Sequence, residues 1–279
     1  MTNDKPNAET QRLAETLRQL RESSGISGRE LARRTYISQG KISRIERGDY
    51  VPTLLDVEAV GRALSLDPET VTKLATMVRR ARTEHQSSRQ MAQIGWEHRQ
   101  RMLIDLDSSS RHVRQFLPSI LGALLQTPEY AYASCDSPIS MGNWDAAEVS
   151  ASKLSRQRVL DNAEVQFTFL LTGAAATWPL IDPDQMARQH RHLIELSQHP
   201  NVTILIIDSE SRLVRDGPLN TFTVFDDRLV ACELFSGEVT LTDPADVTYH
   251  RQLFDYFLSV SRSEVESREW IAGLCTSCT

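Results

Sequence analysis

Leu31-Ala32-Arg33-Arg34-Thr35-Tyr36-Ile37-Ser38-Gln39-Gly40-Lys41-Ile42-Ser43-Arg44-Ile45-Glu46-Arg47-Gly48 is the stretch that decides how this chain is read. Leu31 and Ala32 form the apolar side of a short helix, and Ser27 with Glu30 three residues later gives it a capping-box start. Ser38 caps the next helix, Ile42 and Ile45 mark its inner side, and Gly48 ends it. Only Thr35-Tyr36-Ile37 joins the two helices, a turn too short for antiparallel packing. That spacing predicts a helix-turn-helix, in which one helix props its successor into the major groove of double-stranded DNA.

The second of these helices is polarised accordingly. Lys41, Arg44 and Arg47 recur every three residues opposite the isoleucines, and Ser38-Gln39-Gly40-Lys41 forms the end that would meet base edges. Arg44 has the two parallel donors that read guanine, and Gln39 the donor and acceptor that read adenine; each such pair discriminates by about 1–3 kcal/mol. Ser38, Lys41, Ser43 and Arg47 are placed for phosphates, which fix register without reading sequence. Ser27 adds a phosphate contact through the free N–H groups at its helix start.

Working outward, the first part of the chain reads as five helices. Leu13, Leu17 and Leu20 make the stripe of the first, which Gly25 ends. Thr53 caps a fourth with Leu54, Val57, Gly61 and Leu64, and Asp67-Pro68 opens a fifth with Val71, Leu74, Ala75 and Val78. Residues 83–100, rich in Arg, Gln, Ser and His, are expected to be a linker, partly helical. From residue 101 the pattern changes to α/β. Met102–Leu106 and Val113–Leu117 read as helical, and Pro183–Gln198 as a helix. Val165–Leu171 and Val202–Ile207 read as strands, Thr221–Phe225 and Leu229–Leu234 as a hairpin across Asp226-Asp227-Arg228, and Glu238–Thr242 as an edge strand. A final helix is expected from about Pro244 to Val260. The fold class is thus α followed by α/β: a five-helix helix-turn-helix domain over 1–82, then a larger regulatory and dimerisation domain with a mixed sheet over 101–279.

Composition agrees with a soluble protein and sharpens the division. Of the 279 residues, 40% are hydrophobic and 24% charged, which excludes a collagen or a disordered chain. No apolar run approaches the ~18 residues of a membrane-spanning helix, and the N-terminus lacks the apolar core of a secretory signal. With four cysteines, a reduced cytoplasmic protein is expected. Residues 1–100 hold 17 Lys/Arg against 13 Asp/Glu, a net of +4, whereas residues 101–279 hold 14 against 24, a net of −10. The basic part on an acidic body points to an anionic partner for the first domain alone.

The residues quoted, followed by Pro52-Thr53, resemble the Xre/Cro-repressor helix-turn-helix over about residues 10–66. In that family an arginine of the first helix pairs with the glutamate ending the recognition helix, which implies an Arg21–Glu46 pair here. Two positions depart from the family pattern. Tyr36 stands where a glycine is usual, so a positive φ there would be strained. Gly40 stands where a base-reading side chain is usual, which leaves Gln39 and Arg44 as the chief readers. Gly122-Ala123-Leu124-Leu125-Gln126-Thr127-Pro128-Glu129-Tyr130, then Phe167–Leu171, Pro200-Asn201-Val202 and Phe222–Phe225, resemble an actinobacterial domain that follows such helix-turn-helix units in regulators of development and secondary metabolism. It has been described as of unknown function and as antitoxin-like. The resemblance implies a DNA-binding regulator, with an antitoxin-like module that sequesters a small partner protein as the alternative.

No nucleophile elbow, phosphate loop or paired metal-ligand motif appears, so neither catalysis nor a cofactor nor a metal is expected. His190-x-His192 does not share a helix face and reads as a solvated polar surface. Cys275 and Cys278 form a C-x-x-C without a second pair, which reads as a frayed tail. Trp144 and Trp178 are the candidates for lining a small-molecule effector pocket. Ile120–Leu125 is expected in the core, with a homodimer surface as its second reading. Specific DNA binding commonly presents two recognition helices about one helical turn apart (~34 Å), so a homodimer is expected.

Overall fold

Three serine or threonine oxygens set the starts of the helices that matter most. A computed structural model of the chain describes residues 8–87, 96–139, 145–208, 217–235 and 237–276, in two units that divide between Glu84 and His85. The first unit holds α1 (Ala8–Ser23), α2 (Gly28–Thr35), α3 (Gln39–Glu46), α4 (Leu54–Ala63) and α5 (Pro68–Arg82). Ser27, Ser38 and Thr53 each accept a hydrogen bond from the backbone N–H three residues on, at 3.2, 3.2 and 3.0 Å. These bonds satisfy donors that the first turn of a helix leaves orphaned. The capping box is complete at Thr53, where Asp56 accepts from the Thr53 N–H. At Ser27 only the serine half forms, because the Glu30 carboxylate is taken by Arg33 and Arg34 at 2.7–2.9 Å. Leu13, Leu17, Leu31, Ile42, Ile45, Val57, Leu74 and Val78 close one core between the five helices. Gly61 is required there: a Cβ would meet Val71 Cγ2 at 2.7 Å, so glycine permits the close approach of α4 to α5.

β1 (Thr83–Ser87) spans the division; the second unit continues with α6 (Trp96–Ser108), β2 (His112–Leu117), a 3-10 turn (Ala123–Leu125), α7 (Pro128–Ala133) and α8 (Ala146–Arg156). A second 3-10 turn (Gln157–Asp161), β3 (Gln166–Thr172), α9 (Gly173–Thr177), α10 (Pro183–Leu196) and β4 (Val202–Ile207) follow. The chain then forms β5 (Phe222–Phe225), β6 (Leu229–Leu234), β7 (Gly237–Leu241), α11 (Pro244–Ser259) and α12 (Glu264–Thr276). The strand order is β1-β7-β6-β5-β2-β3-β4. β2, β3 and β4 run parallel, and β5 to β7 form an antiparallel meander beside β2, so the sheet is mixed.

Alternation along the strands distributes the core to both faces. Val113 and Leu117 of β2, Phe167, Phe169 and Leu171 of β3 and Ile204 and Ile206 of β4 pack with Met186 and Leu193 of α10 and Ile271 of α12. Phe116, Leu170, Leu205, Phe222 and Val224 face the other way, onto Phe254 and Phe257 of α11. The Phe116 and Phe257 rings stack at 4.4 Å between centroids.

Several local expectations are corrected. Val113–Leu117 is a strand, not a helix. It lies between β3 and β5, but Arg114 and Gln115 stand side by side and Val113, Phe116 and Leu117 fall at i, i+3 and i+4, a helical spacing that hides the alternation of a strand. The expected linker contains β1 and the start of α6, where Gln100 is already buried and Arg99 pairs with Glu238 at 2.7 Å. A further helix, α12, follows the one expected to be last; it buries Ile271 and carries Cys275, which is half-buried rather than frayed. Cys278 lies outside the described residues. His190 is buried, with Nε2 2.8 Å from the Ala176 carbonyl, and burial holds its imidazole below the ordinary value. Leu121, Leu124 and Leu125 are core residues.

Phe169 is fully buried in β3, the strand flanked by two parallel partners. Phe169→Ala should destabilise the second unit by about 3–5 kcal/mol, the usual cost of emptying an aromatic core site. Hydrogen exchange under mild urea should then lose protection in β2 to β4 while α1 to α5 keep theirs.

Candidate nucleic-acid interface

α3 has eight residues, too few to be stable alone, so its orientation comes from what it is fastened to. Its inner side inserts Ile42 and Ile45 into the core of the first unit. Its C-terminal end is fastened to α1: Arg21 Nε donates to Glu46 Oε1 at 2.6 Å and Nη2 to Oε2 at 3.1 Å, while Nη1 donates to the Ile26 carbonyl at 3.0 Å. Both side chains are mostly buried, 13% and 16% exposed. A bidentate pair of this kind fixes rotation as well as distance. The Glu46 hydrogen bonds raise the Arg21 pKa against the opposing effect of burial.

The first turn of α3 is fastened to α4. Lys41 Nζ reaches both Asp56 oxygens at 2.8 Å, and Oδ2 also accepts from the Thr53 N–H at 2.8 Å. Burial by itself pushes the Asp56 carboxyl up, but Lys41 and the Thr53 bonds together hold it below the ordinary aspartate value. Lys41, assigned to a phosphate from the sequence, is therefore half-buried and committed in part to a carboxylate. Tyr50 lies under the same helix, with Lys41 Nζ 5.3 Å and Arg44 Cζ 5.4 Å from its ring centroid, within cation–π range. The sequence reading missed both Asp56 and Tyr50. Thr53-x-x-Asp56 is a capping-box spacing and could have indicated the first, whereas nothing local marks Tyr50.

What remains outward is Ser38, Gln39, Gly40, Ser43, Arg44 and Arg47, all exposed. Arg47 donates to Asp49 at 2.7 Å and to the Ser43 hydroxyl. Among the described residues, the side chains of Gln39 and Arg44 have no hydrogen-bond or ion-pair partner. A Cβ at Gly40 would meet nothing within 4 Å, so this part of the surface is open. Tyr36 does adopt the left-handed conformation, φ 58, in the turn between α2 and α3, and is 98% exposed. Ser27 is exposed and already accepts the Glu30 N–H. The arrangement thus brings the sequence-assigned residues of α3 onto one face and leaves Ser27 apart, at the start of α2.

Trp144 lies outside the described residues, and Trp178 is 53% exposed. The cavity of about 500 Å³ at the ends of β3 and β4 is lined instead by Trp270 with Phe116, Phe257, Thr172 and Asp208. Among the described residues, no group of three His, Cys, Asp or Glu side chains is placed to hold a metal ion.

Glu46→Ala should cost about 2 kcal/mol, somewhat under the 3–5 kcal/mol typical of breaking a fully buried pair, because a little solvent reaches both groups. Thermal unfolding of the first unit is the measurement. The Asp56 contribution has a definite sign: its folded pKa is depressed, so its stabilisation is complete above the unfolded aspartate value, about 3.9, and is lost as pH falls through the folded one. Acid titration of that unit should accordingly be less steep in Asp56→Asn.

Three comparisons place the chain among known proteins. Residues 12–74 match the family model described as helix-turn-helix domain, and residues 100–273 match that described as domain of unknown function (DUF5753). The curated proteins contain no match. Among solved structures, the chain is similar at 11% identity to one described as "Structure of TrmBL2, an archaeal chromatin protein, shows a novel mode of DNA binding", over 74% of this chain and 63% of that one, with a TM-score of 0.31. A TM-score so low establishes no common fold, and the chain spans less than two thirds of that protein. The second match alone covers more than half of the sequence: the chain belongs to the DUF5753 family and carries a helix-turn-helix domain ahead of it.

Proposed function

We propose that this protein is a sequence-specific, DNA-binding transcription regulator whose helix-turn-helix is of the Xre/Cro type. One observation carries the reading. α3 is fastened at both ends, yet its outward side presents Gln39 and Arg44 with no hydrogen-bond or ion-pair partner among the described residues, Arg44 resting only against the Tyr50 ring. A surface helix that only needed solubility would gain nothing from such rigid fixation of uncommitted planar donors. A base-reading helix needs it, because bidentate hydrogen bonds to base edges tolerate little misorientation.

In this reading Arg44 pairs with guanine and Gln39 with adenine, while Ser38, Ser43 and Arg47 hold phosphates beside them and Ser27 adds one at the start of α2. Lys41 keeps ammonium protons beyond those given to Asp56 and can add a phosphate contact, but its charge is already partly balanced. The protein acts by binding rather than by catalysis, needs no metal or cofactor, and works in the cytoplasm as a homodimer on a near-palindromic site. The second domain supplies the dimer contact and receives a small-molecule or protein signal.

Arg44→Ala should lose about 1–3 kcal/mol of discrimination at one base pair of the selected site, read as the ratio of Kd values across single-base variants. Unchanged selectivity would refute its base-reading role. Arg47→Ala should weaken binding to all sequences and reduce the salt slope by roughly one. Selection of bound fragments from the source genome would supply the site; failure to enrich any sequence at low salt would overturn the reading.

A further inference from the structure

Between α6, α8 and the face of the sheet carrying Gln115 lies a cavity of about 290 Å³. At ~30 Å³ per water it has room for about ten waters or a molecule of similar heavy-atom count. Its walls are polar at a level where the neighbouring sheet face is Val113, Phe167 and Phe169. Gln100 of α6 and Gln115 of β2 are 5% and 9% exposed, and each leaves its Oε1 atom without a hydrogen-bond partner. Buried carboxamide atoms left unpaired are costly, and native proteins rarely tolerate them without an occupant. Gln115 Nε2 donates to the Thr223 hydroxyl at 3.1 Å. Turning the carboxamide over would exchange an unpaired acceptor for an unpaired donor, because Thr223 can serve either atom. A Cβ at Gly122 would come within 2.4 Å of Gln115 Oε1, so glycine leaves the carboxamide where it stands.

Two charges in the same cavity have no opposite charge of their own. Lys153 of α8 donates to the Ser134 hydroxyl at 3.0 Å and makes no ion pair among the described residues. Glu233 of β6 likewise has none, and it is exposed to solvent where it lines the cavity. The other charged residues of the wall are satisfied, Arg99 by Glu238 at 2.7 Å and Arg156 by Asp107 at 2.7 Å.

We propose that this cavity binds a small zwitterion of the amino-acid type, its amino group meeting Glu233 and the glutamine oxygens and its carboxylate meeting Lys153. Such a molecule supplies donors and acceptors together, and so satisfies Gln115 in either orientation. As an effector of the regulator proposed above, the zwitterion rests on that reading. As a ligand of the second domain, it does not.

The test uses the full-length protein, with each common free amino acid added singly at millimolar concentration. At least one is expected to raise the melting temperature and give saturable heat on titration. The corresponding amine without the carboxylate, and the acid without the amine, should each bind at least tenfold more weakly. Lys153→Met, at a half-buried position that should fold, and the near-isosteric Gln115→Leu should both weaken binding at least tenfold. The proposal is overturned if no amino acid binds the wild type, or if both variants bind as the wild type does. A Gln115→Leu protein that is more stable than a wild type binding no amino acid would assign the cavity to water alone, which also overturns it. DNA titration of the same samples separates the two readings: amino-acid binding without DNA binding would sink the function proposed for α3 and leave this inference standing.

Discussion

The bidentate contact between Arg21 and Glu46 is what the orientation of α3 rests on, because it converts a helix too short to persist alone into a fixed element. Apolar insertion of Ile42 and Ile45 would hold α3 against the core, but contacts of that kind are non-directional and permit rotation about the helix axis. The guanidinium fork removes this freedom at the C-terminal end, and Lys41 with Asp56 removes it at the N-terminal end. The Asp56 carboxylate serves two helices at once: it completes the Thr53 capping box of α4 and anchors α3. The cost falls on the intervening turn, where Tyr36 occupies a left-handed conformation that disfavours a side chain. Its ring is almost wholly exposed, so it recovers nothing by packing, and local strain is carried for the sake of the angle between α2 and α3.

The parts legible in the sequence were those with local causes. Ser38, Ile42, Ile45 and Gly48 announce α3 because caps and helical periodicity act within a few residues. The hairpin across Asp226-Asp227-Arg228 was legible for the same reason, and Asp226 does adopt a positive φ. Where a side chain had a choice of partners, local reading was incomplete. Glu30 has the spacing of a capping residue, yet two arginines on its own helix outcompete the backbone N–H for it. Lys41 has the periodicity of a phosphate contact, yet it meets a carboxylate fifteen residues away in sequence. The Arg21–Glu46 pair, twenty-five residues apart, was accessible through family resemblance and not through spacing.

The second domain was legible as α/β but not in its centre. β2 joins the parallel β3–β4 ladder on one side to the antiparallel meander on the other. Gln115 is buried on an otherwise apolar face next to the partly buried Arg114, which breaks the alternation that identifies a strand, so β2 did not read as one. His190 shows the converse. Polar neighbours in sequence suggested a solvated surface, while packing buried the ring and gave it the Ala176 carbonyl.

Gln115 raises a question of economy in that same central strand. Its neighbours on the face, Val113 and Leu117, are fully buried and apolar, and a leucine between them would continue the core without an unpaired atom. The carboxamide is instead supported by Thr223, spared a clash by Gly122, and set in a cavity with Lys153 and Glu233. Thr223 and Gly122, from different elements, accommodate a carboxamide that leaves one atom unpaired, which favours an occupant over accidental imperfect packing. Occupancy alone would not regulate anything. A ligand there can alter DNA affinity only if it favours one of two states that differ in how the recognition helices are presented. On the homodimer proposed above, α3 is held within its own unit, so such a difference would arise between the two helix-turn-helix units.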